Sequence, residues 1–197
     1  MCGRFYVPED DASDVILAIL AEAEGRVRAS DPAFRLKRGD VCPGDAAAVL
    51  ALDKRLTRGA FAMRWGFSAQ GRLIINARSE TALTKPLFRE SMTTRRCLIP
   101  AGAYYEWDHR EKRPVRYRFV PRDGGELYLA GLYRFEPEAR QPVFTILTRS
   151  AAPEIASIHD RMPVLLPGGL TDAWLSHDAP PEELLTAAIT SVRALPA

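Results

Sequence analysis

The sequence predicts an α+β fold in which a mainly antiparallel, barrel-like sheet is flanked by helices. Short apolar segments follow one another through short turns in the middle of the chain, and helical patterns lie on either side of them. Strands and helices do not alternate regularly, which disfavours a parallel α/β sheet. The 197 residues contain neither an internal repeat nor a linker-like stretch, so we expect one domain over residues 1–197.

The first helix is predicted within "DDASDVILAILAEAEG". Its apolar residues recur at helical spacing and form one stripe, which comprises Val15, Ile16, Ile19, Leu20 and Ala23. Acidic and hydroxyl side chains before this stripe suit a helix N-terminus, and Gly25 suits the C-terminal end. Further helical segments are "SETALTKPLFRESMTTR", in which Pro86 starts a second turn, and then "APEIASI", "TDAWLSH" and "PPEELLTAAITSV".

The strands are predicted from apolar segments rich in β-branched and aromatic residues. "AAAVLAL" and "LTRGAFAMRW" form one hairpin, and "VRYRFVP" and "LYLAGLYRF" form another across the turn "RDGGE". "RLIINAR" is read as one short strand, "RCLIPAGAYYEW" as a strand kinked at Gly102, and "PVFTILTR" as a further strand. These segments supply the sheet of the predicted fold.

The composition argues against several classes of protein. Hydrophobic residues make up 47% and charged residues 26%, as in soluble globular proteins, and a net charge of +2 does not by itself indicate nucleic-acid binding. Three cysteines without a C-x-x-C pair favour neither a zinc site nor a disulfide framework, which indicates a reducing cytoplasm. We expect no metal, no cofactor, no secretory signal and no membrane span.

Cys2 is the first candidate for chemistry. If Met1 is removed, Cys2 carries both an α-amine and a thiol, and this pair can condense with an aldehyde. The amine forms a Schiff base, the thiol adds to the imine carbon, and a five-membered thiazolidine results. The alternative is a chain terminus without a role, which "MCG" alone favours.

Three other segments place polar residues beside apolar strands. Glu106 lies between two aromatic residues, which predicts a raised carboxyl pKa and a general acid, or else a solvent-facing strand residue. His159 in "IHDRMP" suits proton transfer, or is a surface or capping histidine. Asn76 and Arg78 end "RLIINAR", where the amide could hold Cys2 and the guanidinium could bind phosphate, as Arg4 could; a strand-end turn is the structural alternative.

Other motifs do not support competing chemistries. "GFSAQG" lacks the final glycine of a G-x-S-x-G nucleophile elbow, and no phosphate-binding G-x-x-x-x-G-K-[ST] loop occurs. No nucleotide cofactor is therefore expected. The basic segment "HREKRPVRYR" could meet a nucleic-acid backbone, although a solvated strand face explains it as well.

Four segments occur in a characteristic order: "MCGRF", "NARSET", "RRCLIPAGAYYEW" and "IHDRMP". Together they resemble the SRAP (SOS response-associated peptidase) family, from Cys2 to about Leu166. The resemblance implies a single SRAP-like domain that crosslinks covalently to abasic sites in single-stranded DNA through Cys2. It also implies a damage-response role, with the protein at the nucleoid when bound to DNA.

The resemblance assigns roles to individual residues. Asn76 positions Cys2, Glu106 assists opening of the sugar ring and proton transfer, and His159 shuttles protons in Schiff-base formation and reversal. The residues expected to contact DNA or line the site are Arg4, Pro43, Trp65, Arg78, Thr148 and Arg161. We expect a monomer that needs no cofactor and whose partner is single-stranded DNA containing abasic sites.

Three features depart from the family pattern. The stretch "WGFSAQGRLIINAR" is short and lacks the proline and the tryptophan-containing segment that supplies a DNA wedge, which leaves Trp65 and Phe67 as its aromatic residues. Cys42 stands beside Pro43 in place of a small residue. The chain stops at "SVRALPA" without the family's further asparagine-containing strand, so we expect an altered DNA platform but unchanged chemistry at Cys2.

Two alternatives remain from the sequence. Cys2 could be the nucleophile of a peptidase, including one that removes its own Met1, and a lyase side activity is also implied. The protein could instead bind single-stranded DNA without catalysis. An amine–thiol pair suits an aldehyde better than an amide, which favours the crosslinking reaction.

Overall fold

The computed structural model of the protein describes residues 2–9, 13–110, 112–122, 124–137, 139, 141–176, 178–189 and 191–197. The first half of the chain contains β1 (Phe5–Val7), α1 (Asp14–Arg28), β2 (Gly39–Val41), β3 (Ala46–Leu52), β4 (Arg58–Trp65), β5 (Phe67–Ala69), β6 (Arg72–Ile74), β7 (Asn76–Arg78), α2 (Ser79–Ala82), α3 (Pro86–Thr94) and β8 (Arg96–Ala101). The second half contains β9 (Ala103–Asp108), β10 (Val115–Pro121), β11 (Leu127–Arg134), β12 (Val143–Ser150), α4 (Pro153–Ala156), β13 (Arg161–Pro163), β14 (Leu165–Leu166), α5 (Thr171–Ser176), α6 (Pro181–Thr186) and β15 (Val192–Pro196).

An eight-stranded sheet closes into a ring. Seven of its strands follow the order β13-β12-β4-β3-β8-β11-β14, and the eighth, β7, pairs with β12 outside this path. A further pairing between β12 and β11 closes the ring. Most pairs are antiparallel, but β12 runs parallel to both β4 and β7. Closure satisfies edge hydrogen bonds that an open sheet leaves free. The predicted α+β fold with a mainly antiparallel, barrel-like sheet is confirmed.

A second, five-stranded sheet lies beside the ring, with the antiparallel order β15-β10-β9-β1-β2. The chain passes from one sheet to the other at Gly102, between β8 and β9. A Cβ atom there would lie 3.0 Å from the Pro8 ring, so the close approach of the backbone favours glycine. The kink predicted at Gly102 is thus the point at which β9, the strand that carries Glu106, leaves the ring.

The first helix packs against the ring by its apolar stripe. Ser13 is its N-cap residue, and its hydroxyl accepts a hydrogen bond from the Ile16 N–H at 3.3 Å. Two details of the prediction were wrong: Val15 is 49% exposed, and the helix continues through Gly25 to Arg28. A glycine inside a helix costs only about 1 kcal/mol, and burial of the remaining stripe outweighs this.

Three other predictions are corrected. "VRYRFVP" and "LYLAGLYRF" do not pair as a hairpin, because β10 pairs with β9 and β15 in the five-stranded sheet, whereas β11 pairs with β8, β12 and β14 in the ring. "RLIINAR" is two strands, because Ile75 separates β6, which pairs with β5, from β7, which pairs with β12. The last predicted helix ends at Thr186, and the chain finishes as β15, which pairs with β10. No helix within the described ranges is long and apolar enough to cross a membrane.

Candidate active site around Cys2

The Cys2 side chain is fully buried at the start of the five-stranded sheet. Strand β1 runs between β9 and β2, and it begins three residues after Cys2. The thiol donates a long hydrogen bond to the Arg4 carbonyl oxygen, with 3.8 Å between Sγ and O. Burial, together with the nearby Glu106 carboxylate, raises the pKa of the Cys2 thiol, so the resting sulfur is a neutral thiol.

Asn76 holds the backbone of Cys2. Its side-chain amide nitrogen donates to the Cys2 carbonyl oxygen at 2.9 Å, across 74 residues of sequence. The preceding residue, Ile75, accepts a hydrogen bond from the Trp65 indole N–H at 3.0 Å, which fixes the start of β7. The side-chain oxygen of Asn76 is buried and has no hydrogen-bond partner among the described residues, so an acceptor remains for a ligand.

Glu106 lies on β9, and its side chain is turned away from solvent. The residue is only 2% exposed, and burial raises the pKa of its carboxyl group to about 7. At neutral pH the group therefore occurs in both protonation states, which is the condition that general acid–base chemistry requires. The sequence prediction of a raised pKa agrees with this direction.

His159 follows α4 and faces Glu106. The His159 Nε2 atom lies 3.9 Å from the Glu106 carboxylate oxygen, and Nδ1 accepts a hydrogen bond from the Arg161 backbone N–H at 3.0 Å. That bond assigns the proton of the neutral ring to Nε2, on the side of Glu106. Burial lowers the pKa of His159, although the Asp160 carboxylate, 3.0 Å from Nδ1, opposes this effect.

The Arg161 side chain is held by the protein. Its guanidinium forms a bidentate ion pair with Glu80 at 2.7 and 2.9 Å and also donates to the Thr148 carbonyl oxygen at 2.8 Å. Only 12% of the Arg161 side chain is exposed. Thr148 is fully buried and donates a weak hydrogen bond to the Ala77 carbonyl oxygen at 3.5 Å, so it supports the strands behind the site and has no surface for DNA.

Trp65 does not fit the predicted contact with DNA. It is fully buried, and its ring lies between Phe5 and Phe144, with centroids at 5.1 and 6.1 Å. No ring face remains for a base to stack on, so Trp65 belongs to the core. Phe67, the other aromatic residue of that stretch, is also fully buried.

Three other predicted contacts reach the surface. Pro43 is exposed in the connection between β2 and β3, and Arg78 is exposed at the end of β7. Arg4 is partly exposed; its guanidinium lies 3.2 Å from Asp40 and 5.4 Å from the centre of the Trp107 ring.

Sequence reasoning missed two acidic residues near the site. Glu80, in "NARSET", secures Arg161, and Asp160, in "IHDRMP", touches the His159 ring. Both residues lie in segments that the sequence had already singled out. Asp160 directly follows the candidate His159, and Glu80 lies in the same segment as an arginine, and these positions were the signals that could have identified them. Removal of Met1 concerns a residue outside the described ranges.

The arrangement brings four of the predicted residues together. Cys2, Asn76, Glu106 and His159 come from four separate segments and are linked by an amide hydrogen bond, a carboxylate–imidazole contact and the effect of Glu106 on the thiol. A buried neutral thiol beside a carboxyl group that titrates near pH 7 can exchange protons with a bound electrophile.

Comparison with known proteins identifies the family of the chain. The model of the family "SOS response associated peptidase (SRAP)" matches residues 1–195. Abasic site processing protein YedK of Escherichia coli (strain K12) is 28% identical over 184 residues, which cover 90% of this chain and 81% of YedK. Abasic site processing protein YoaM of Bacillus subtilis (strain 168) is 35% identical over 127 residues, or 58% of this chain, and the match spans only about half (55%) of YoaM.

Solved structures show the same fold. A crystal structure of a protein from Bordetella bronchiseptica superposes with a TM-score of 0.75 and 25% identity, and the match covers 100% of this chain and 99% of that one. A protein from Bacteroides thetaiotaomicron reaches a TM-score of 0.78 at 18% identity, covering 99% of this chain and 91% of that one. From the family match and the shared fold, the chain belongs to the SOS response associated peptidase (SRAP) family.

Proposed function

We propose that the protein processes abasic sites in single-stranded DNA by forming a covalent crosslink through Cys2. The main support is that Asn76 holds the Cys2 backbone, His159 faces Glu106, and Glu106 lies near enough to the Cys2 thiol to raise its pKa. The names of YedK and YoaM, both abasic site processing proteins, point to the same substrate. The reaction requires a free Cys2 amine, so Met1 is removed first.

The proposed reaction has two steps. The Cys2 amine attacks the C1′ aldehyde of the opened abasic sugar, and loss of one water gives an imine. The Cys2 thiol then adds to the imine carbon, and its proton passes to the nitrogen, so the thiazolidine keeps every other atom of both partners. No oxidant, reductant or metal is needed for this balance.

Proton transfer falls to Glu106 and His159. The protonated Glu106 donates to the sugar ring oxygen as the ring opens, and the resulting carboxylate then accepts a proton from the attacking amine. A carboxyl pKa of about 7 suits both directions at neutral pH. His159, with its proton on Nε2, exchanges protons with this carboxylate across 3.9 Å, a gap that one water or a small movement closes.

Flanking DNA contacts are assigned to exposed residues. Arg4 and Arg78 bind phosphates on either side of the lesion, and Pro43 supports an adjacent base. Arg161 holds the His159 ring through its backbone N–H and is not assigned a phosphate, because its guanidinium is already paired with Glu80. Trp65 takes no part, because its ring is enclosed by the core.

The test is the intact mass of the protein before and after incubation with a single-stranded oligonucleotide that carries one abasic site. We expect the untreated protein to lack Met1 and the product to equal protein plus oligonucleotide minus one water. Cys42→Ala is the matched control, because it removes a cysteine outside the site and retains the adduct.

Variants of Cys2 separate the two steps. Cys2→Ala and Cys2→Ser should both lose the heat-stable adduct and give only a labile imine that borohydride traps, because the amine remains in each while the thiol is lost. A heat-stable adduct in Cys2→Ala would exclude the proposal. Turnover of peptides by a protein that forms no adduct would support the peptidase alternative instead.

A further inference from the structure

The five-stranded sheet presents a regular set of arginines and aromatic rings on one face. Register pairs Arg118 with Tyr105 and Arg116 with Trp107, and residues that are paired across strands project from the same face. The same face carries Tyr6 of β1 and, two residues before it, Arg4, whose carbonyl oxygen accepts a hydrogen bond from the Tyr105 N–H. We call this surface the outer face, defined by Arg4, Tyr6, Tyr105, Trp107, Arg116 and Arg118.

Each arginine of the outer face rests on an aromatic ring. The guanidinium carbon of Arg116 is 4.6 Å from the centre of the Tyr105 ring, and that of Arg118 is 4.6 Å from the Tyr6 ring. Stacking of this kind restricts the guanidinium and keeps its N–H edge available for a phosphate oxygen. The arginines are therefore held in place before any ligand arrives.

The outer face carries excess positive charge. Among the described residues, its arginines have one carboxylate partner, Asp40, which lies 3.2 Å from Arg4 and 3.0 Å from Arg116. Three arginines against one aspartate leave two positive charges in excess, as many as the net charge of the entire chain. This concentration of charge favours a polyanion over a neutral or basic partner.

The outer face continues directly from the Cys2 site. Arg4 follows Cys2 by two residues, and Trp107 follows Glu106 on β9 but projects to the opposite side of the strand. From β1 to β10 is two strand spacings, about 10 Å, which a few nucleotides of a single strand can span. A strand bound at Cys2 could thus reach Arg116 and Arg118 without a break.

We propose that the single strand flanking the lesion runs across the outer face, where Arg116 and Arg118 bind its phosphates and Trp107 stacks on a base. The inference rests on the proposed function, because it extends the path of the same DNA strand. On this proposal, the segment "VRYRFVP" binds the DNA strand and is more than a solvated sheet face.

The salt dependence of binding tests the role of the two arginines. Affinity for a lesion-free single-stranded oligonucleotide is measured by fluorescence anisotropy from low to moderate salt. Loss of two phosphate contacts in Arg116→Gln/Arg118→Gln should reduce the slope of log K against log [salt] by roughly 1.4, or about 0.7 per contact. The control Arg72→Gln/Arg89→Gln removes two exposed arginines from β6 and α3 and should leave the slope unchanged.

Tryptophan fluorescence gives a second measurement. Trp65 and Trp174 are fully buried and Trp107 is partly exposed, so quenching by DNA reports mainly on the outer face. We expect quenching in the wild type and its loss in Trp107→Leu. Equal losses of slope in the two double variants, or no quenching, would overturn the proposal.

Failure of the inference and failure of the proposed function are distinguishable. Adduct formation by the wild-type protein is measured in parallel on a short abasic oligonucleotide. If the wild type forms the adduct but the double variant shows no change in salt slope, only the proposed path across the outer face is rejected. A change in slope and quenching without an adduct retains this surface as a single-strand binding site and removes the crosslinking reaction.

Discussion

The buried carboxyl group of Glu106 should make the protein less stable as the pH rises. Its pKa is raised by burial from an ordinary value of 4.5 to about 7, so the folded state binds the proton more tightly than the unfolded state does. Between these two values the folded protein holds more protons, and stability therefore falls with rising pH. A shift of about 2.5 pKa units corresponds to about 3 kcal/mol lost by pH 8.

Glu106→Gln removes this titration while keeping the size of the side chain. We expect wild type and variant to differ in the change of unfolding free energy between pH 4.5 and pH 8, with the wild type losing about 3 kcal/mol more. The measurement is urea-induced unfolding at several pH values. The same variant should form the adduct much more slowly at pH 7, because an amide cannot donate and accept the proton.

A matched control and a refuting result are both available. Glu154→Gln removes an exposed carboxylate from α4, and its pH dependence should follow that of the wild type. Parallel curves for the wild type and Glu106→Gln across this window would refute the assignment of a buried carboxyl group with a raised pKa.

Three further predictions concern reactivity and stability. Iodoacetamide should modify Cys42, which is partly exposed, well before the buried Cys2 thiol with its raised pKa; peptide mapping that finds equal rates would contradict this burial. Gly66→Ala should lower the free energy of unfolding by about 2–3 kcal/mol, because the φ angle of Gly66 is +118° and a Cβ atom would lie 2.3 Å from Leu73 Cγ. Thermal unfolding measures this, and an unchanged midpoint would show that the loop relaxes. Glu80, whose pKa is lowered to about 2 mainly by its arginine hydrogen bond, stabilises above pH 4.5 and loses this effect as the pH falls towards 2. Between pH 4.5 and pH 2, Glu80→Gln should therefore lose about 1 kcal/mol less unfolding free energy than the wild type, a value discounted because the side chain is half exposed. Urea-induced unfolding at acid pH measures this, and an equal loss in wild type and variant would refute the pairing.

Local patterns in the sequence determined most of the elements. The stripe beginning at Ile16, the hairpin of β3 and β4, the kink at Gly102 and the short helix opened by Pro153 all depend on residues close together in the chain. Periodicity and turn chemistry act over this range, so a single sequence suffices to read them. The order of four segments also sufficed to indicate the family.

Tertiary pairing decided what local patterns could not. "RLIINAR" divides because β7 pairs with β12, a strand some 70 residues away, and the chain ends in a strand because β15 finds an open edge at β10. The sequence of one segment does not show which strand it will pair with, because the preference of a segment for the strand conformation depends on the neighbouring strands that bury its side chains.

Tertiary structure also decided which individual side chains are buried or paired. Nothing near Trp65 in the sequence distinguishes a ring enclosed by Phe5 and Phe144 from one exposed to DNA. Arg161 looks like a phosphate ligand until its ion pair with Glu80, 81 residues away, is known. The sequence by itself determined the chemical groups and the class of fold, whereas only the packing of distant segments decided which of those groups are buried, paired or open to a ligand, because burial and charge pairing are non-local.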